Sequence, residues 1–265
     1  MRIGNWDIIK IIADGRWSKI ALAKPHGCQS NNADYIIKFV DEDSTQFEFA
    51  RNMLLRELAC SKLVSHPSVI SFLDGDPEHK TPYLVSARHS GENLQQFQSG
   101  YQLVFDLRDK LTCFRQVCEG VMQLHQIGIR HGDLSPANTL VDIEGRKSLI
   151  LDLGLSEKVN PFFREREATA GTWGYVAPEC LQDSTPVNLS ADVFSLGATM
   201  KEFFPVTTEF ANDSSTYAPV RHALGTLLES MTDRQPLKRP AIQEVTQQAS
   251  MLEIGCIELD YRSAS

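Results

Sequence analysis

Long apolar runs are missing from this 265-residue chain. Nothing in it approaches the ~20 consecutive apolar residues that span a bilayer. Paired cysteines are missing too. Cys28, Cys60, Cys113, Cys118, Cys180 and Cys256 are scattered, and no two stand in C-x-x-C spacing. A zinc knuckle or dithiol redox centre is therefore not expected, and the thiols read as reduced. Positive charge is in the minority, with 26 Lys and Arg against 34 Asp and Glu and a net charge of −8. That balance gives no general attraction to nucleic acid or anionic lipid. The opening Met1-Arg2-Ile3-Gly4-Asn5-Trp6-Asp7 carries an early acid and lacks the apolar stretch of a signal peptide. The expectation is a cytoplasmic protein with no membrane and no nucleic-acid partner. What is present is ordinary for a folded chain: 42 % hydrophobic and 23 % charged residues. The length suits one large domain or two small lobes.

The first part of the chain reads as strand-rich with one helix. Ile8–Ile12 and Ile20–Lys24 flank a turn at Asp14-Gly15, and Tyr35–Val40 is a short, β-branched run. From about Gln46 to Val64 the apolar spacing turns helical, and His66-Pro67 ends it. Val69–Leu73 and Tyr83–Ser86 read as further strands. From Leu103 the pattern is mainly helical. Leu111, Phe114, Val117, Val121 and His125 recur at three and four residues, as a buried helix requires. Thr139–Ile143 and Ser148–Leu151 form a hairpin around Glu144-Gly145, and two helices follow near Ser190–Phe204 and His222–Met231. Ser90-Gly91-Glu92-Asn93 is the polar stretch best suited to a hinge.

The chemistry concentrates in His131-Gly132-Asp133-Leu134-Ser135-Pro136-Ala137-Asn138. Asp133 and Asn138 stand five apart between a buried helix and a hairpin, and Asp152-Leu153-Gly154 begins fourteen residues after Asn138. Either aspartate alone reads as well as a turn cap. Together the spacing converges two carboxylates and an amide. Such oxygen donors suit a hard cation like magnesium, leaving Asp133 to orient a hydroxyl and accept its proton.

These residues resemble the eukaryotic-like serine/threonine protein kinases, from about residue 6 to residue 250. The pattern H-R-D-x-x-x-x-N stands as His131 to Asn138, D-F-G as Asp152-Leu153-Gly154, and A-P-E as Ala177-Pro178-Glu179 after Gly171-Thr172-Trp173-Gly174-Tyr175. Asp192-Val193-Phe194-Ser195-Leu196-Gly197 is similar to the family's D-V-W-S-L-G, and Lys238-Arg239-Pro240 to its K-R-P. The resemblance implies an α+β, bilobal fold. Residues 1–86 would form a small strand-rich N-lobe with one helix, 87–91 a hinge, 92–250 a larger, mainly helical C-lobe, and 251–265 a C-terminal tail, read as a helix end plus a disordered terminus. It implies ATP and magnesium as cofactors and a protein Ser/Thr hydroxyl as acceptor, and says nothing of oligomeric state.

The resemblance also implies roles. Lys38 would bind the α/β-phosphates, partnered by an acid on the next helix. Glu48 and Glu57 are candidates, and Glu57 fits because it lies ten residues before Pro67. Asp133 would be the base, Asn138 and Asp152 the metal ligands, and Thr172 the residue against the catalytic loop. Glu179 and Arg239 match a structural ion pair. Ala13, Gly15 and Ser18 stand in the glycine-rich loop. Ile20, Ile36 and Leu140 would sandwich adenine, with Ser86 behind it and Ala87-Arg88-His89 as the hinge whose backbone meets it. Asn93 and Ala137 fall where some kinases place acids to read basic substrates.

The departures are concentrated. Only the middle glycine of G-x-G-x-x-G survives, as Gly15. Gly132 replaces the arginine that in many kinases grips an activation-loop phosphate, so activity independent of loop phosphorylation is expected; Ser156 and Thr169 are the obvious acceptors. Ser135 replaces a lysine that supplies positive charge to the transferring group, which implies a slow enzyme unless another cation, such as nearby Arg130, fills in. Ile36 replaces an alanine, which implies weak ATP binding. A pseudokinase scaffold and a small-molecule phosphotransferase remain as alternatives.

Overall fold

The computed structural model describes residues 1–29, 32–96, 106–142, 145–159, 171–181, 188–204 and 215–264. The chain divides into two compact units. One comprises Met1–Ser65, Ile70–Ser90 and Leu153–Leu155; the other comprises His66–Val69, Gly91–Asp152 and Ser156–Ser265.

In the first unit, β1 (Arg2–Ile3), β2 (Trp6–Asp14), β3 (Lys19–Pro25), β4 (Tyr35–Phe39), β5 (Asp74–Asp76) and β6 (Tyr83–Ala87) build one sheet in the order β1-β2-β3-β4-β6-β5. All its pairings are antiparallel. Side chains alternate between its faces. Ala21, Ala23, Ile37, Phe39, Tyr83 and Val85 pack with Ile3 and Trp6 in one buried cluster. A second cluster joins Leu84 and Val40 to Ala50 and Leu54 of α1 (Phe47–Ser61). The apolar spacing of α1 supplies that face, and Glu57 lies buried on the same helix.

One strand lies elsewhere than the sequence suggests. Val69 makes a single bridge to Ile150, and no ladder follows through Leu73. The strand is Asp74-Gly75-Asp76 instead. Gly75 allows the close approach: a Cβ there would lie 2.7 Å from Leu84 Cδ2 and 3.0 Å from the Tyr83 carbonyl. Trp6 Nε1 then donates to Asp74 Oδ2 at 2.6 Å. Close packing and a long-range hydrogen bond decide over β propensity.

In the second unit, Glu92–Asn93 (β7) pairs with β9 (Thr139–Asp142), which pairs with β10 (Lys147–Ile150). Residues 143 and 144 of the expected hairpin turn lie outside the described residues. Gly91 has φ +105, and a Cβ on it would meet the Val141 carbonyl oxygen at 2.2 Å, so only glycine fits there. The long helix α2 (Leu107–Gln126) is capped by Asp106, whose Oδ1 accepts from Asp109 N at 2.7 Å. A two-stranded ribbon joins β8 (Ile129–Arg130) and β11 (Glu157–Lys158). The helices α3 (Ser190–Phe203), α4 (Ala218–Met231) and α5 (Ile242–Ala264) complete the described part.

The expected tail corrects to helix. Residues 251–264 continue α5, because Leu252 and Cys256 are buried. Glu253 fixes this stretch to α2, accepting from Thr112 Oγ1 at 2.7 Å and from Arg115 Nε. None of the six cysteines is joined in a disulfide. Among the described residues no helix is long and apolar enough to cross a membrane.

Candidate functional site

In the first unit the decisive residue is Lys38. It sits in β4 with Ile20 and Leu84 as cross-strand neighbours. Its Nζ lies 2.7 Å from Glu57 Oε2. Glu57 is only 2 % exposed, so its charge needs this partner. Truncating one member of such a buried pair typically costs about 3–5 kcal/mol. Glu48, the other candidate, is on the surface and accepts from Arg51.

Four of the expected nucleotide residues share one face of the sheet with Lys38. Ile36 lies directly opposite Leu22 and Ser86, Ile20 opposite Lys38, and Ala13 opposite Ile20. Ala87 pairs with Tyr35 and projects to the other face. The Arg88 amide is taken by the Asp34 carbonyl at 2.9 Å, and His89 is exposed. The Gly15 amide donates to Ser18 O at 3.0 Å, so the turn is closed on itself. Trp17, not singled out from the sequence, ties this turn to α1: its Nε1 donates to Gln46 Oε1 at 2.8 Å and its ring packs edge-on to Phe49.

In the second unit the loop from His131 to Asn138 is held on all sides. Asp133 Oδ1 accepts from both the amide and the hydroxyl of Thr172, each at 2.8 Å. Asp133 Oδ2 accepts from Asn138 Nδ2 at 2.9 Å. Burial pushes the Asp133 carboxyl up, the Thr172 hydrogen bonds work against this, and the nearby Asp152 charge adds to the rise. A carboxylate with a raised pKa is a better proton acceptor.

The backbone under Asp133 hangs from a buried aspartate of α3. Asp192 accepts from His131 N at 2.7 Å, from Gly132 N at 3.0 Å and from His125 Nε2 at 2.9 Å. Burial opposes the Asp192 charge, but the His125 hydrogen bond and the nearby positive groups hold its carboxyl below the usual range. His131 Nε2 meets the Leu151 carbonyl at 3.0 Å, and Asp133 N donates to its Nδ1 at 3.2 Å. The first contact needs a donor and the second an acceptor, so the ring is the neutral Nε2–H tautomer. It ties the loop to the strand end that carries Asp152. The sequence held the signal, Asp192-Val193-Phe194-Ser195-Leu196-Gly197, but not what Asp192 grips.

Asp152 has φ +59, a left-handed conformation rare outside glycine. Such residues cost of order 1–3 kcal/mol and gather at functional sites. With its NH2 donated to Asp133, Asn138 has its amide oxygen left to meet a cation. The amide oxygen of Asn138 and the carboxylate of Asp152, whose charge reaches Asp133, are donors that fit a hard, partly hydrated cation such as magnesium. Among the described residues no cluster of three His, Cys, Asp or Glu forms a metal cage.

Several expected residues take other places. Ser156 is fully buried and donates to the His131 carbonyl at 3.0 Å, so it is not an exposed phosphate acceptor. Thr169 lies outside the described residues. Ser135 is also buried, and its hydroxyl has no hydrogen-bond partner among the described residues. Arg130 does not fill that gap, because its guanidinium binds Glu157 and, at 3.5 Å, Cys180 Sγ. Asn93 pairs with Leu140 across β7 and β9, and its Oδ1 accepts from Gln96 N at 2.8 Å as a helix cap. Glu179 and Arg239 form a buried two-bond pair at 2.6 and 2.8 Å.

The sequence matches the protein kinase domain family over residues 6–263. This chain belongs to the protein kinase family. It is similar to the mouse serine/threonine-protein kinase Nek5, 26 % identical over 211 residues that cover 79 % of this chain and 32 % of that protein. CBL-interacting protein kinase 31 of rice is 25 % identical, with 80 % of this chain and 47 % of that protein covered. CBL-interacting serine/threonine-protein kinase 9 of Arabidopsis thaliana is 29 % identical, with 74 % and 43 % covered. The chain thus spans less than half the length of these relatives. It is a protein kinase domain with an α+β fold, and the kinase match reaches 263, beyond the domain end expected at 250.

Proposed function

We propose that this kinase domain transfers the γ-phosphoryl group of ATP to serine or threonine hydroxyls of proteins, with magnesium, as a cytoplasmic enzyme. The observation that carries this reading is Asp133: a carboxylate with a raised pKa, fixed by Thr172 and Asn138 on a loop anchored by Asp192. In the reaction Asp133 accepts the proton of the acceptor hydroxyl. The acceptor oxygen bonds the γ-phosphorus, the bond to the β-bridging oxygen breaks, and ADP leaves. Lys38, held by Glu57, is assigned to the α/β-phosphates. Asn138 and Asp152 are assigned to magnesium, which supplies charge neutralisation to the phosphates when bound. Ala13, Gly15, Ser18, Ile20, Ile36 and Ser86 are assigned to the nucleotide from the first unit, with Ala87, His89, Asn93 and Leu140 as further candidates.

The reading includes a slow rate. Loss of one preorganised donor costs about 10²–10³ in other enzymes, and buried Ser135 offers no cation in the lysine's place. It also includes independence from activation-loop phosphorylation, because Gly132 has no side chain to grip a phosphate.

A second reading is a pseudokinase scaffold, favoured by Ser135 and by a glycine loop reduced to Gly15. The two separate in one assay. Purified chain is incubated with γ-labelled ATP and a generic protein acceptor, with magnesium or with EDTA. The enzyme reading expects phosphoserine or phosphothreonine only with magnesium. Nucleotide binding with no transfer would select the scaffold.

A further inference from the structure

Arg130 is the least expected charge near the catalytic loop. It stands in β8, one residue before His131, with its guanidinium mostly buried. Its Nη2 donates to Glu157 in the strand β11 paired with it, and its Nη1 reaches Cys180 Sγ at 3.5 Å. Glu157 follows Asp152 by five residues, and Cys180 directly follows Glu179. One guanidinium therefore holds both ends of the segment between Asp152 and Glu179. The same guanidinium faces the Asp192 charge, which in turn holds the His131 and Gly132 amides. The charged and titratable groups acting on it are Asp192, Glu157 and Cys180, and Asp192 in turn faces His125 and His131. Two residues on, Gly132 adopts φ +84 and carries no side chain.

We infer that Arg130 is a positioning residue that clamps the catalytic loop to both ends of the activation segment through the fixed charge of Glu157. This rests on the kinase reading and explains its phosphorylation independence. A phosphate is a charge that must be added; the Glu157 carboxylate is always there. The arginine that the family carries at the position of Gly132 is thus replaced from the other side of the same loop, by a residue whose partner is built into the chain. Arg130 touches neither nucleotide nor acceptor in this scheme. It acts through the position of Asp133.

The test uses the whole chain. Glu157→Gln keeps the shape and removes the charge. The expected result is a fall in kcat of roughly tenfold, the range of substitutions that act through a charge network rather than by contact. KM for ATP stays within about twofold, since the nucleotide face belongs to residues the substitution leaves alone. Hydrogen exchange of the His131 and Gly132 amides quickens, and phosphatase treatment leaves wild type unchanged. Arg130→Lys, which keeps a cation for Glu157, retains more activity than Arg130→Met. The double reversal Arg130→Glu with Glu157→Arg recovers activity over either single reversal. Glu157→Gln with unchanged kcat overturns the inference, as does phosphatase sensitivity of wild type. If wild type itself transfers no phosphoryl group, the kinase reading fails, and the exchange rates alone decide the clamp: unchanged rates in Glu157→Gln reject it. Glu157→Asp, with a shorter reach, serves the same readouts should Glu157→Gln not fold.

Discussion

The lysine of the first unit and the aspartate of the second are held in different ways. Lys38 has a buried carboxylate, Glu57, on one neighbouring helix, and the turn nearest to it in the sheet keeps only Gly15 of the expected glycines. Asp133 accepts three hydrogen bonds from two residues, and the backbone beneath it hangs from Asp192, which accepts three more. The kind of support separates them: a buried ion pair for the one, a hydrogen-bonded loop for the other. The aspartate loop is over-determined, so it tolerates a bare Gly132 where the family carries arginine, and an uncharged Ser135 where it carries lysine. The lysine is paired with a buried carboxylate, and the sheet face around it carries the bulky Ile36. The loop of Asp133 keeps its hydrogen-bonding residues, while the turn of the first unit keeps only Gly15 of the expected glycines.

That contrast can be broken at its strongest point first. Asp192→Ala removes the acceptor for three buried donors, and unfolding in denaturant should show a loss of about 3–5 kcal/mol. The pH dependence has a fixed sign. The Asp192 carboxyl titrates below its unfolded value of 3.8, so its stabilisation is present above that pH and fades as pH falls through the folded value. Wild type and variant should therefore converge in strong acid. A loss under about 1 kcal/mol, the worth of a single ordinary hydrogen bond, would mean the loop does not depend on this anchor.

Lys38→Met should lower transfer by about 10²–10³, with Glu57→Gln following the same direction less severely. Equal activity in Lys38→Met would remove the first unit from the chemistry. Ile36→Ala should tighten ATP by about tenfold, because relieving an overfilled site returns roughly 1–3 kcal/mol; titration calorimetry reads it, and unchanged or weaker binding rejects it. The smallest effect is in pH. Asp133 must be ionised to accept a proton and titrates above 3.8. The acid limb of kcat should therefore lie above the ordinary carboxylate range, with rate lost as pH falls through it. A limb at or below 3.8 would contradict the raised carboxyl.

Much of this was legible because it is local. The spacing of Phe114, Val117 and Val121 marks α2, and the resemblance to the kinase family, through the ten residues from Glu57 to Pro67, points to Glu57 over Glu48 as the partner of Lys38. What escaped depends on burial and direction, which spacing does not carry. Ser156 reads as an exposed hydroxyl but is turned inward to His131 O. Arg130 reads as a spare cation near Asp133 but is turned to Glu157. Asp74-Gly75-Asp76 has poor β propensity, yet Trp6 and Leu84 make it a strand where Val69–Leu73 fails. Residues 251–264 lie past the recognised motifs, and it is the burial of Leu252 and Cys256 and the grip of Glu253 on α2 that show the helix going on.

The most direct test pairs two readouts on Asp133→Asn. ATP affinity should match wild type, while phosphoryl transfer to a protein acceptor should fall by about 10²–10⁴, the contribution of a positioned general base. Transfer at the wild-type rate would contradict the assignment of Asp133 as the base and, with it, the account built on its three hydrogen bonds.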